Sequence, residues 1–173
     1  MVLKGENVVL TEIRPDDSET LYRWINDAEA VRLNAPYGPV AYPRHVAWLE
    51  ALGRDDSRVA FAIRETADGP LVGTIQLIDI HRIHRTAELT IRIGSPEKQG
   101  RGLGTEALKL ATRFAFDDLN LQRLWLRVFQ TNTRAIRAYE KTGLEVEGVM
   151  RRAAFVEGRW LDVIVMAVLR ERP

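Results

Sequence analysis

Gln99-Gly100-Arg101-Gly102-Leu103-Gly104 follows a strand-like run, Leu89-Thr90-Ile91-Arg92-Ile93, and opens a helix-like run from Thr105 to about Leu119. Glycines at alternate positions strip the side chains from the turn. Its backbone N–H groups can then gather around an anion, and the following helix aims the positive end of its dipole at the same spot. That is the chemistry of a diphosphate-binding turn; the other reading is a glycine-rich connection that binds nothing. Two familiar phosphate loops do not fit. G-x-G-x-x-G needs a glycine where Thr105 stands, and a P-loop needs Gly-Lys-Ser or Gly-Lys-Thr, which the chain lacks.

Outward from this turn the pattern is α/β. Val8 to Arg14 reads as a strand and Pro15-Asp16-Asp17-Ser18 as a helix start, with Leu21, Trp24 and Ile25 at helical spacing behind it. Asn34 to Pro39 is a loop by its Pro and Gly content, and a second helix runs from Pro43 to about Leu52. Val59–Glu65 and Leu71–Ile80 read as strands joined by an Asp68-Gly69 turn, and Thr86–Ile93 as the next strand. After the glycine turn, Leu103, Ala107, Leu110, Ala111 and Phe114 form one apolar stripe, as on a helix packed against a sheet. Leu124–Phe129 is a strand, Asn132–Thr142 a helix stopped by Gly143, and Val149–Val156 with Trp160–Leu169 a hairpin turning at Glu157-Gly158. Strands outnumber crossover helices, so the central sheet is expected to be mixed, with about seven strands and about four helices in one domain over residues 1–173.

The composition narrows the function classes. The chain has 173 residues, 25 Lys and Arg against 24 Asp and Glu, and no cysteine. A near-neutral chain without a basic stripe gives no support for nucleic-acid binding. No apolar run is long enough to span a bilayer, and the N-terminus lacks a signal-peptide core, so no membrane partner and a cytoplasmic location are expected. The missing cysteine rules out disulfides, thiolate metal sites and a cysteine acyl-enzyme. His81 and His84, three residues apart in a probable loop, are weak signals for a metal, and none is expected. His45 carries no signal. Trp24, Trp48, Trp125 and Trp160 are too scattered for a stacking platform, which leaves packing.

A second segment runs Asn132-Thr133-Arg134-Ala135-Ile136-Arg137-Ala138-Tyr139-Glu140-Lys141-Thr142-Gly143-Leu144. Asn132 and Tyr139 are spaced close to two helical turns apart, so both fit one face, roughly 10 Å apart along the axis. Ala135 and Ala138 between them leave room for a thin ligand. Read alone, Tyr139 is equally a half-buried core residue and Asn132 an N-cap. Together the two segments, Gln-x-x-Gly-x-Gly and about thirty residues later Asn-x-x-Ala-x-x-x-Tyr-x-Lys-x-Gly-Leu, resemble the paired signature of the GNAT N-acyltransferases. The resemblance extends over nearly the whole chain and implies the GNAT fold, with acetyl-CoA as co-substrate. It implies that Ile91 and Ile93 lie on the strand that pairs with the pantetheine arm. The turn Gln99, Gly100, Arg101, Gly102, Leu103 and Gly104, with Thr105 behind it, would cradle the pyrophosphate. Asn132 would hydrogen-bond the pantetheine or neighbouring backbone, with Ala135 beside it, and Tyr139 would stand at the thioester sulfur. Lys98, Arg101, Arg134 and Lys141 flank these elements, as phosphate contacts or as solvated charges.

Direct transfer to an amine needs no enzyme nucleophile, consistent with the absence of cysteine. The leaving thiolate needs a proton or a strong donor, which a phenol of pKa about 10 at Tyr139 can supply. An attacking amine of pKa about 10.4 is charged at neutral pH, and freeing its lone pair near pH 7.5 costs roughly 4 kcal/mol. A carboxylate base, or a water held by one, would help, and Glu88 is the candidate, because the resemblance places an acidic residue there opposite the substrate amine. Its other reading is an ion pair with Arg85 or another arginine. Alternation sets Glu88 on the opposite strand face from Leu89, Ile91 and Ile93.

Two branches of the family are most similar. The spermidine and diamine acetyltransferases match over Ile78 to Leu89 and Phe155 to Val163; the ribosomal-protein N-terminal acetyltransferases share the architecture. The polyamine enzymes carry paired glutamates before a Pro-Tyr. Here the segment reads Leu33-Asn34-Ala35-Pro36-Tyr37, without the acidic pair. The departure weakens a spermidine assignment, and the expected acceptor is a primary amine, either a small or polyamine-like amine or a protein N-terminal α-amine. The contrasting possibility is a non-catalytic acyl-CoA sensor on the same fold. The apolar run Val163 to Val168 is either a strand pairing across a homodimer or a buried central strand.

Overall fold

The strands are β1 (Leu3–Lys4), β2 (Val9–Thr11), β3 (Val59–Arg64), β4 (Gly73–His81), β5 (Thr86–Ile93), β6 (Arg123–Phe129), β7 (Glu145–Val156) and β8 (Arg159–Leu169). In this computed structural model, which describes residues 1–33 and 38–171, they form one mixed sheet. The order is β1-β2-β3-β4-β5-β6-β8-β7. The helices are α1 (Ser18–Ile25), α2 (Ala28–Leu33), α3 (Tyr42–Ala51), α4 (Leu103–Asp117) and α5 (Thr133–Glu140), with short 3-10 turns at Pro15–Asp17 and Pro96–Lys98. The sheet thus has one strand more than expected, and among the described residues there is one helix more. β1 has only two residues, too few for a period, and α2 is a six-residue segment at the edge of the expected loop. That loop, residues 34–37, lies outside the described residues.

Alternation along the strands sorts side chains between two faces. Phe61 and Ile63 on β3, Ile75 and Leu77 on β4, Ala87 and Leu89 on β5, and Leu124, Leu126 and Val128 on β6 join one core. The predicted α4 stripe of Leu103, Ala107, Leu110, Ala111 and Phe114 packs into it, with Phe114 edge-on to Phe61 at 5.3 Å. Ala62, on the opposite face of β3, packs with Leu21 of α1, Leu71, Trp24 and Trp48 in a smaller cluster. Helices therefore cover both faces. A buried ion pair ties the α1 side down: Arg64 donates to Asp17 at 2.5 Å, to Thr11 at 3.1 Å and to the Gly69 carbonyl at 2.9 Å. Trp24 lies so close to Gly94 that a Cβ there would fall 2.1 Å from its ring.

Two features of the sheet position the site. β5 and β6 are the parallel pair, and their ladder stops after Thr86–Arg123, Ala87–Leu124 and Glu88–Trp125, although the strands continue to Ile93 and Phe129. They splay, and a cleft opens between them. Beyond β6, β8 is flanked on both sides by β6 and β7, so the Val163 to Val168 run is the buried central strand of the two alternatives. The hairpin turn sits at Glu157-Gly158, both residues at positive φ (48° and 78°), as a two-residue turn of right-handed twist demands. No helix among the described residues is long and apolar enough to cross a membrane.

Candidate active site

A cleft of about 420 Å³ lies over the end of β5, between the start of α4 and the flank of α5. Ile91, Ile93, Gln99, Gly100, Gly102, Gly104, Thr105, Asn132, Ala135, Tyr139 and Lys141 all line it, so two segments about thirty residues apart in sequence form one wall each. Gly100 and Gly102 have φ of 75° and 83°, a region that L side chains rarely enter. Gly102 is the N-cap of α4, and no side chain caps that end. A helix start leaves its first N–H groups without intrahelical partners, so this end is open to an anion.

The polar side chains around the turn mostly brace it. Gln99 donates to the Ile93 carbonyl at 3.0 Å and accepts from Arg134 at 2.7 Å, bridging β5 and α5. Lys98 bonds Glu65, and Arg101 lies 3.5 Å from the same carboxylate. The Lys98 ammonium, first, and then Arg101 hold that carboxyl below the usual range despite some desolvation. Leu103 is 4% exposed and turned into the core. Of the expected cofactor-binding residues, Arg101 and Leu103 are thus absent from the lining of the cleft, and only their backbone belongs to the turn. Asn132 caps α5, its Oδ1 accepting from the Ala135 N–H at 3.2 Å. Tyr139 is 8% exposed, and burial alone pushes its phenol up to about 12.

The opposite face of β5 borders a larger chamber of about 790 Å³. Glu88, Thr90 and Arg92 alternate along that face, as the strand period requires, and Ile91 and Arg92 belong to both spaces, so the two meet there. Glu88 is 5% exposed. Both its oxygens accept from Arg127, at 3.0 Å from Nε and 3.1 Å from Nη2. Arg127 projects from β6 two residues beyond Trp125, the register partner of Glu88, and its guanidinium lies 5.6 Å from the centre of that indole. Arg85, the other partner considered for Glu88, instead donates to the Asn120 carbonyl at 2.7 Å.

Sequence reasoning missed several chamber residues. Trp24 and Trp48, which look scattered, converge on it from α1 and α3. His45, also on the lining, is 4% exposed, with Nε2 3.1 Å from the Ser18 hydroxyl and its ring 5.7 Å from Trp48. An ionisable ring among Val46, Trp48 and Leu49 was the available signal. Arg58, Arg92 and Arg127 carried none, since each sits in a strand region with no motif around it. His81 and His84 stack at 4.1 Å, His84 N–H donating to His81 Nδ1 at 3.1 Å. Among the described residues no group of three or more His, Cys, Asp or Glu could hold a metal.

Residues 7–145 match the family model described as an acetyltransferase (GNAT) domain. The chain is 32% identical to spermidine N(1)-acetyltransferase of Escherichia coli K12 over 175 residues, covering 97% of this chain and 89% of that one. It superposes on the crystal structure of spermidine N-acetyltransferase from Vibrio cholerae in complex with CoA and spermine with a TM-score of 0.86. That match has 28% identity and covers 95% of this chain and 96% of the other. A dodecameric structure of the same Vibrio cholerae enzyme matches with a TM-score of 0.80 at 27% identity, covering 95% of each chain.

Proposed function

The chain belongs to the GNAT acetyltransferase family and is an acetyl-CoA-dependent N-acetyltransferase, and we propose that the two spaces meeting at Ile91 and Arg92 divide the work, cofactor on the α5 side and amine on the other. Acetyl-CoA supplies its acetyl group as a thioester, and the amine displaces the thiolate. The fit rests on the chain's own features: an uncapped α4 start behind two glycines at positive φ, an unpaired β5 edge, and the small Ala135 and Ala138 beside it. The turn Gln99 to Gly104, including the Arg101 and Leu103 amides, with Thr105, holds the diphosphate through backbone N–H groups. The β5 backbone at Ile91 and Ile93 takes the pantetheine, and Asn132, Ala135 and Lys141 line its path.

Tyr139 donates a hydrogen bond to the sulfur. With the phenol at about 12, transfer of its proton to a thiolate of pKa about 8.5 is roughly 5 kcal/mol uphill. The phenol therefore stabilises developing charge as a donor rather than giving up its proton early. Glu88 attracts the ammonium, orients it and accepts the proton whose loss frees the lone pair; the second proton, lost from nitrogen as the amide forms, leaves with coenzyme A as its thiol. Arg127 holds the carboxylate in place through a bidentate pair.

The observation that carries this reading is the junction: a buried carboxylate and a buried phenol serve adjoining spaces on either side of one strand. Purified protein incubated with acetyl-CoA and polyamines, amino acids, aminoglycosides or peptides with a free N-terminus should release thiol in an amine-dependent way. Silence across all four classes would remove the reading. The names of the relatives make spermidine the first acceptor to try, and a peptide N-terminus the second. Homo-oligomers are part of the same proposal. β7 is a free sheet edge exposing Val146, Val149 and Met150, and Phe155 and Trp160 pack on each other at 5.1 Å at its hairpin end. Light scattering on the eluting peak would show a monomer if this is mistaken.

A further inference from the structure

The charge of the amine chamber differs from what a polycation needs. Arg44, Arg58, Arg92 and Arg127 line it, and Glu88 is the one carboxylate on the lining among the described residues. Glu88 already has both oxygens engaged by Arg127. Arg58 sits 3.5 Å from Asp55 and donates to Gln76 at 3.2 Å, so its charge is partly matched. Arg92 is half-buried and donates to the Trp24 carbonyl at 3.3 Å. Its burial lowers the guanidinium's pKa, and the field of Asp27 opposes that shift, so its charge too is partly matched. The sequence between Leu33 and Gly38 is Asn-Ala-Pro-Tyr and adds no carboxylate.

A polyamine entering this chamber would exchange hydration for guanidinium neighbours. Removing an ion from water costs several kcal/mol unless an opposite charge replaces the lost solvent, and like charges add to the cost. An amine that also carries an anion meets the reverse situation. A guanidinium offers planar, paired donors suited to a carboxylate or phosphate, and a half-buried one gains most from such a partner.

We propose that the acceptor is a primary amine bearing an anionic group, a carboxylate or a phosphate, whose anion is held by Arg92 with Arg58 and Arg44 while its amine faces Glu88. This rests on the assignment of the chamber to the acceptor. It places specificity in arginines on β5, on α3 and just before β3, and makes the net charge of the acceptor the selected property.

The test compares four amines at saturating acetyl-CoA, with thiol release as the readout: β-alanine, O-phosphoethanolamine, butylamine and spermidine. At least one of the two anionic amines should exceed spermidine and butylamine in kcat/KM by about tenfold, as a charged hydrogen bond allows. Arg92→Gln should lower kcat/KM for that amine by about 10- to 100-fold, mainly through KM, and collapse the preference over butylamine. Arg92→Lys should recover part of it. Arg44→Gln, on an exposed helix surface, gives the same comparison should an Arg92 variant not fold. Which anionic amine leads separates a carboxylate site from a phosphate site. Spermidine or butylamine turned over as well as both anionic amines would overturn the inference and leave the acetyltransferase reading intact. If no amine releases thiol, that reading fails instead, and calorimetry on the CoA-loaded protein decides the inference. Binding of β-alanine or O-phosphoethanolamine that is lost in Arg92→Gln upholds it; no binding overturns it.

Discussion

The two spaces that share Ile91 and Arg92 are built from different material. The cleft proposed for the cofactor draws on backbone features: a turn with two left-handed glycines, a bare helix end and a strand edge released where β5 leaves β6. The chamber proposed for the acceptor is made of side chains brought from α1, α3 and β4 to β8. A backbone site recognises what every acetyl-CoA enzyme must bind. A side-chain site can change its acceptor by substitution without disturbing the sheet, and in this chain four arginines line it.

Substitutions on either side of β5 should separate accordingly. The largest effect is expected for Glu88→Gln, about 100-fold or more in kcat/KM for the amine, with the KM for acetyl-CoA nearly unchanged. An unaltered rate would remove the carboxylate from the chemistry and leave the Arg127 pair as a structural one. Tyr139→Phe should lower kcat by about 10- to 100-fold, because one oriented donor at developing charge is lost. Burial keeps the phenol protonated to about pH 12, so Tyr139 should contribute no falling limb to the pH–rate profile below pH 10. The same shift has a stability consequence. A phenol whose folded pKa lies above its unfolded value of 10.0 stabilises fully below pH 10, and that contribution fades as pH rises towards about 12. Alkaline unfolding of Tyr139→Phe should lack this component.

Smaller changes sharpen the other half. In Gly102→Ala the added Cβ meets no atom within 4 Å, so the cost is the backbone conformation alone, about 1–2 kcal/mol. The KM for acetyl-CoA should rise while amine selectivity holds; a changed amine preference would break the division between the two spaces. Asn132→Ala should be mildest, about 1 kcal/mol in thermal unfolding from the lost cap. A raised KM for acetyl-CoA alongside it would show that the amide also serves the cofactor.

Local patterns reached the fold and the cofactor half because each rests on short-range geometry. The alternation of β3 to β6, the α4 stripe, the glycine turn and the spacing of Asn132 to Tyr139 are all set within a turn or two of chain, and the structure gathers them as the spacing implies. β1 and α2 escaped because they are too short to show a period. Alternation also put Glu88 on the face away from Leu89. What residues would face it depended on β6 bringing Arg127 within 3.0 Å, on His45 and Trp48 swinging in with α3, and on Arg58 and Arg92 reaching one chamber from different parts of the sheet. Those encounters join residues far apart in the chain. Only the packing of the sheet and its helices fixes them: the sequence alone determined the glycine turn, the Asn132 to Tyr139 spacing and the family they resemble, and the tertiary structure decided which charged side chains line the second chamber.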